Sequence, residues 1–235
     1  HHSFPFALCF VYCFMEFGKI AEDELGITDL TLPNDHPATP AILQRSAPAS
    51  PTGIFIGCAK WGRKDWVGSI YPKGTKDANF LEHYAKHFNS IELNATFYKI
   101  PTRKQTEAWS SRVGPDFRFC PKFSDKISHM KRLKDTGPLT ERFLEGISGF
   151  GKNLGPALLT VHPNMGPKSL EVLTAFLESL PPTLEVFTEL RHVDWYGKPE
   201  EFERVFSMLE RRGTGAVITD AAGRRDCVHM RLTRP

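Results

Sequence analysis

From Ile54 onward, short β-type runs alternate with stretches whose apolar residues recur every three or four positions. The pattern predicts strands over 54–59, 90–97, 117–122, 157–162, 184–190, 215–219 and 228–232. Between them it predicts helices over 76–88, 102–113, 139–150, 168–180 and 199–211. Leu170, Leu173, Phe176, Leu177 and Leu180 share one side of a helix, as do Phe202, Val205, Phe206 and Leu209. Thr102, just after Pro101, is placed to cap a helix, and Gly213 follows the Glu-Arg-Arg end of another.

Strict alternation of strand and helix implies a parallel sheet, either doubly wound or closed into a barrel. The strand faces choose between them. Ile91, Leu93 and Ala95 alternate with Glu92, Asn94 and Thr96, a polar face that a sheet covered by helices on both sides would not tolerate. The same parity pairs Arg118 with Lys122, Thr160 with His162, Glu189 with Arg191 and His229 with Arg231. Lys60 and Asp220 fall at strand ends, so a barrel would gather polar groups from every strand into one ring. The expected fold is therefore an α/β, TIM-like β/α barrel. Too little chain lies between Asp220 and the strand at 228 for a crossover helix, so that connection should be irregular. The chain ends at Pro235, directly after the seventh strand, so the barrel reads as truncated before its last helix and strand.

Composition changes this picture little. The chain has 235 residues, 40% hydrophobic and 24% charged, which suits one core-forming domain and excludes wholesale disorder. Residues 15–53 read as an N-terminal arm or linker, rich in Pro, Ser, Thr and Ala from 31 onward, and 54–235 as the barrel domain. Phe4 to Phe14 is apolar but lacks the basic leader of a signal peptide and is too short to span a bilayer, so 1–14 reads as an upstream or non-native segment ahead of Met15. Five cysteines with no Cys-x-x-Cys spacing suggest reduced thiols and a cytoplasmic protein. A net charge of +3 permits a phosphorylated ligand or nucleic acid without requiring either.

Several motifs occur in order across the domain. They are Gly57-Cys58-Ala59-Lys60-Trp61 with Asp65-Trp66 and Tyr71-Pro72-Lys73-Gly74, then Glu92-Leu93-Asn94-Ala95-Thr96-Phe97-Tyr98. Phe117-Arg118-Phe119-Cys120-Pro121-Lys122 leads to Ile127-Ser128-His129. Leu154-Gly155-Pro156, Glu189-Leu190-Arg191-His192 with Trp195, Thr219-Asp220-Ala221-Ala222 and Met230-Arg231-Leu232 complete the set. In these the chain resembles the domain of unknown function 72 family, also called YecE-like, whose members look like TIM-type barrels with no established common activity. It departs from the family at Thr160-Val161-His162-Pro163, where members commonly have Gln-Leu-Pro-Pro.

Glu92 and Glu189 are the leading candidates for acid and base chemistry, with Lys122 and Asp220 beside them. Lys60, Arg191 and Arg231 add cations, Trp61, Tyr98 and Trp195 add aromatic faces, and Asn94, His129 and His192 add hydrogen-bonding groups for a substrate. The same charges can instead satisfy one another as an ion network, and the tryptophans can simply close the core. No cofactor is expected. A divalent metal held among Glu92, His129, His162, Glu189, Asp220 and His229 is disfavoured by the neighbouring Lys and Arg and by the absence of a metal-binding spacing. Cys58 and Cys120 sit inside strands without an adjacent base and read as packing. Three functions remain: a hydrolase for a phosphorylated or sugar-containing compound, nucleic acid included; a non-catalytic barrel that binds an anionic metabolite; or an interaction scaffold whose polar ring is inert and self-neutralised. The oligomeric state is not legible.

Overall fold

The structure, a computed structural model, describes residues 20–45 and 53–235. Segment 1–14, read above as upstream sequence, lies outside the described residues. The domain is mixed α/β. Its strands are β1 (Gly57–Cys58), β2 (Ser90–Leu93), β3 (Arg118–Pro121), β4 (Ala157–Thr160), β5 (Val186–Glu189) and β6 (Gly215–Ala216). They pair in parallel as two three-stranded sheets, β1-β2-β3 and β4-β5-β6. Single bridges from Phe119 to Leu154 and from Lys122 to Leu158, also parallel, place β4 beside β3. The six strands thus form one row in sequence order.

Alternation sorts the two faces of that row. Ile91, Leu93, Phe119, Ala157, Leu159 and Val186 are buried and join one core with the apolar stripes of α3 (Phe80–Tyr84), α6 (Gly137–Ser148), α7 (Leu170–Ser179) and α9 (Pro199–Arg211). Glu92, Arg118, Cys120, Leu158, Phe187 and Glu189 alternate with them and are half-buried. Glu92 of β2 lines a cavity of about 480 Å³ together with Phe187 of β5 and Ala216 of β6, so this second face curls around a common space. Close backbone approach makes glycine obligatory at position 57: a Cβ at Gly57 would lie 2.1 Å from the Ser90 carbonyl oxygen of the neighbouring strand.

The helices fall where the periodicity predicts them, with clear termini. Thr102 accepts a hydrogen bond from the Gln105 amide at the start of α5 (Arg103–Ser110). Gly213, at φ 64°, follows α9 in the left-handed conformation that ends helices. Four strands differ from expectation, and of these β1 and β6 are simply cut to two residues each. β2 stops at Leu93 and the chain turns at once into the short helix α4 (Ala95–Tyr98). There Thr96, fully buried, accepts the Lys122 amide at 2.9 Å, with the Leu93 and Lys122 carbonyls each 2.8 Å from its hydroxyl, so a side chain does the work of a continued ladder. Residues 228–232 form no ladder with β6 either. A run of 3-10 turns at Ala222–Cys227 precedes them, and side chains make the links: Thr233 accepts the Ala216 amide at 2.8 Å, and His229 Nε2 lies 3.0 Å from the Val217 carbonyl.

Part of the arm is folded. It carries α1 (Glu22–Leu25) and α2 (Thr39–Gln44), with Ile42 only 1% exposed. Thr39 donates to the Met230 carbonyl at 2.9 Å, and Arg45 pairs with Glu210 of α9 at 2.8 Å. The stretch at 31–45 is therefore docked on α9 and on the chain beyond β6, although its composition showed no apolar period. No helix among the described residues is long and apolar enough to cross a membrane.

Candidate functional site

Parallel strands present their carbonyl ends at one edge of the row, and there β2 to β5 bring together a compact polar group. Glu92 Oε1 lies 3.1 Å from Lys122 Nζ, just past β3. Lys122 Nζ also sits 5.8 Å from the centre of the Phe97 ring. Glu189, ending β5, is held by both arms of Arg191, at 2.8 and 3.1 Å, and accepts the Thr160 hydroxyl of β4 at 2.8 Å. His129 reaches the same place from a π-type turn over Lys126–Met130. Its ring is edge-on to Phe97, at 5.0 Å, and to His162, at 5.1 Å.

Hydrogen bonding orients both imidazoles. The Ser128 hydroxyl donates to the Ser124 carbonyl at 3.1 Å, so its oxygen accepts from His129 Nδ1, 2.8 Å away, and His129 Nε2 keeps its lone pair. His162 Nδ1 accepts the Asn164 amide at 3.0 Å, so its hydrogen is on Nε2. Burial, then His162, Arg191 and Lys122, push the His129 pKa down to about 4. Burial and Arg132 lower that of His162 as well. Both rings are neutral at pH 7. The group therefore holds two ion pairs and two neutral imidazoles, with Phe97 as its aromatic wall.

The turn that delivers His129 is strained. Arg132, Leu133 and Asp135 all have positive φ, at 47°, 66° and 50°, and none is glycine. Leu133, 5% exposed, and its amide bond to the Ile127 carbonyl anchor the loop while Lys131, Arg132 and Lys134 stay exposed.

Of the residues singled out from sequence, Glu92, Lys122, His129, Glu189 and Arg191 meet here, and Asn94, half-buried, begins the turn after β2. The others do not join the group. Arg231 is 4% exposed, but its guanidinium turns to α9, 2.6 Å from Glu203 and 3.4 Å from Glu210, because the chain carrying it is not a strand that aims it inward. Trp195 is fully buried with Nε1 donating to the Met165 carbonyl at 2.8 Å, so it has no free face for a ligand. Trp61 packs against Trp109 and Phe119 on the helix-covered side. Asp220 is exposed and hydrogen-bonded to Arg225, and Lys60 is exposed. Tyr98 is 75% exposed beyond Phe97. His192 lines the neighbouring cleft of about 650 Å³ with Asn164 and Lys168. The expected surplus of cations is thus replaced by a balanced set. The six residues weighed as metal donors do not gather: among the described residues no three His, Cys, Asp or Glu side chains come close enough to hold an ion. Burial and Glu92 push the Cys120 thiol up to about 11, which fits a packing role.

Phe97, Thr160 and His162 belong to the site although none was singled out as a substrate contact. His162 had a signal, since it stands where the sequence departs from the family pattern; Phe97 was hidden by the expectation of a continued strand.

The motif order that carries the resemblance extends across all of these elements. The model of the family described as "Protein of unknown function DUF72" matches residues 55–235. The chain belongs to this family. It is 34% identical over 168 residues to UPF0759 protein YecE of Escherichia coli K12, a match covering 72% of this chain and 59% of YecE. It is 38% identical over 69 residues to UPF0759 protein YunF of Bacillus subtilis, covering 29% of this chain and 23% of YunF. The chain thus spans about three fifths of the length of YecE. Crystal structures of two DUF72 proteins are similar in fold. One, from Enterococcus faecalis, has a TM-score of 0.60 at 20% identity, covering 77% of this chain and 67% of that one. The other, from Thermotoga maritima, has a TM-score of 0.58 at 27% identity, covering 70% and 64%.

Proposed function

We propose that the group formed by Glu92, Lys122, His129 and Glu189 is the hydrolytic cleft of a TIM-type barrel wall and acts on a sugar-containing or phosphorylated compound. The barrel reading rests on the single-file parallel row and on the cavity that β2 shares with β5 and β6. Barrel enzymes work at the carboxyl ends of their strands, which is where these side chains converge.

The observation that carries the proposal is that Lys122 lies 3.1 Å from the half-exposed Glu92 carboxylate and also sits over the Phe97 ring, against which the His129 imidazole packs edge-on. Burial, helped by His162, Arg191 and Lys122, keeps the imidazole unprotonated at neutral pH, and its Nε2 lone pair is left to orient a hydroxyl or a water. Lys122, 11% exposed, holds Glu92 and stabilises negative charge that develops beside it. Glu189, clamped by Arg191 and Thr160, orients rather than reacts. The balanced charge and the Phe97 wall favour the sugar face of a ligand over a bare polyanion.

A non-catalytic binding barrel is the competing function, and the existing Glu92–Lys122 and Glu189–Arg191 pairs are what favour it. A panel of nitrophenyl glycosides, phosphomonoesters and phosphodiesters, assayed with the parent and with Glu92→Gln, separates the two. Turnover abolished by Glu92→Gln supports hydrolysis. No turnover of any member, with a melting temperature raised by a sugar phosphate, supports binding alone. A cytoplasmic location completes the proposal, in keeping with the free thiols of Cys58, Cys120 and Cys227.

A further inference from the structure

A separate, smaller pocket of about 200 Å³ has Tyr98, Lys99, Ser124, Lys126, Leu139 and Arg142 in its lining. Its charged residues are all cations. Most arginines of the described chain are ion-paired, including Arg45, Arg63, Arg103, Arg112, Arg204, Arg225 and Arg234. Lys99, Lys126 and Arg142 have no ion-pair partner among the described residues. Neither do Lys131, Arg132 and Lys134 on the strained loop that begins beside Lys126. Three unpaired cations, from the end of α4, the His129 turn and α6, therefore line one small pocket, and their mutual repulsion opposes folding.

We infer that this pocket is a binding site for a phosphate group. Its volume lies below the roughly 300–1,000 Å³ of pockets that take a whole ligand, so it fits the head group rather than the entire molecule. Arg142 supplies the fork that matches phosphate oxygens, Lys99 and Lys126 supply point charge, and the Tyr98 ring, 75% exposed, offers a stacking face for whatever the phosphate is attached to. The same chemistry serves a free mononucleotide or one phosphate of a single strand, whose neighbouring phosphates would follow Lys131, Arg132 and Lys134. The site does not depend on the hydrolytic reading of the cleft, since none of its lining residues belongs to the Glu92–Glu189 group.

The test uses the full chain. Adenosine monophosphate and inorganic phosphate are titrated by calorimetry, and a fluorescent single-stranded decamer is followed by anisotropy at several salt concentrations. The exposed positions of Lys99 and Arg142 make Lys99→Ala and Arg142→Ala safe for folding. Each should weaken phosphate binding about tenfold, the effect of one lost charge-assisted hydrogen bond. Saturation by adenosine monophosphate with no gain for the decamer identifies a small ligand. Decamer binding whose salt slope falls by about 0.7 per variant identifies a strand. Glu92→Gln should leave either unchanged, whatever it does to turnover. No binding by the parent, or binding unaltered in the Lys99→Ala/Arg142→Ala double variant, would overturn the site.

Discussion

The Lys122 ammonium lies 3.1 Å from the Glu92 carboxylate, but the two differ in access to water: Lys122 is 11% exposed and Glu92 42%. Losing either partner therefore has unequal consequences. Glu92→Gln leaves a nearly buried ammonium without its counterion and should cost about 2 kcal/mol. Lys122→Met leaves a carboxylate that water can reach and should cost less than about 1 kcal/mol. Urea denaturation of the two variants measures the difference; equal costs would mean that the pair is solvated as a unit.

Protons should destabilise the fold through His129. Its folded pKa is about 4, whereas an unfolded imidazole titrates near its ordinary value of about 6.5, so between these limits the unfolded chain binds more protons. The stabilisation is fully present above about pH 6.5 and is lost as pH falls towards 4. Burial lowers the pKa of His162 and His229 too, adding the same sign. Denaturation midpoints at pH 7.5, 6 and 5 should decline, and His129→Gln should flatten the decline. A variant with the parent's slope would remove His129 from this account.

Thr188 on β5 is 1% exposed and its hydroxyl has no hydrogen-bond partner. A buried, unsatisfied hydroxyl opposes folding, and valine keeps the shape without the polar atom. Thr188→Val should raise stability by about 1 kcal/mol, visible as a higher melting temperature. A drop would reveal a partner for the hydroxyl.

Gly57 should tolerate no side chain. With the Ser90 carbonyl oxygen 2.1 Å from the place of its Cβ, Gly57→Ala must push β1 off β2 and should cost about 1–3 kcal/mol. Differential scanning calorimetry checks this, and an unchanged melting temperature would show that the edge strand moves freely.

Much of the architecture was legible because it rests on local rules. Apolar spacing located α5, α6, α7 and α9, parity identified Glu92 and Glu189 on one face, and Thr102 and Gly213 marked helix ends. What could not be read depended on atoms distant in sequence. The pattern through Ala95 and Thr96 continues the strand alternation, yet the Thr96 hydroxyl finds Lys122 and the chain turns into α4. Arg231 has the parity of a residue on the polar face, but Glu203 and Glu210 draw it to the helix layer. Nothing local distinguishes a tryptophan that stacks on a ligand from one buried like Trp195.

The single-file strand order also bears on how the chain assembles. Each strand meets its neighbour after only about 30 residues, so no ladder has to wait for a distant part of the sequence. The first sheet needs nothing beyond Pro121, and the second begins where the first leaves off. Synthesis from the amino end thus delivers the strands in the order in which they pair, and only the docked arm must stay undocked until α9 and the chain around Met230 have been made.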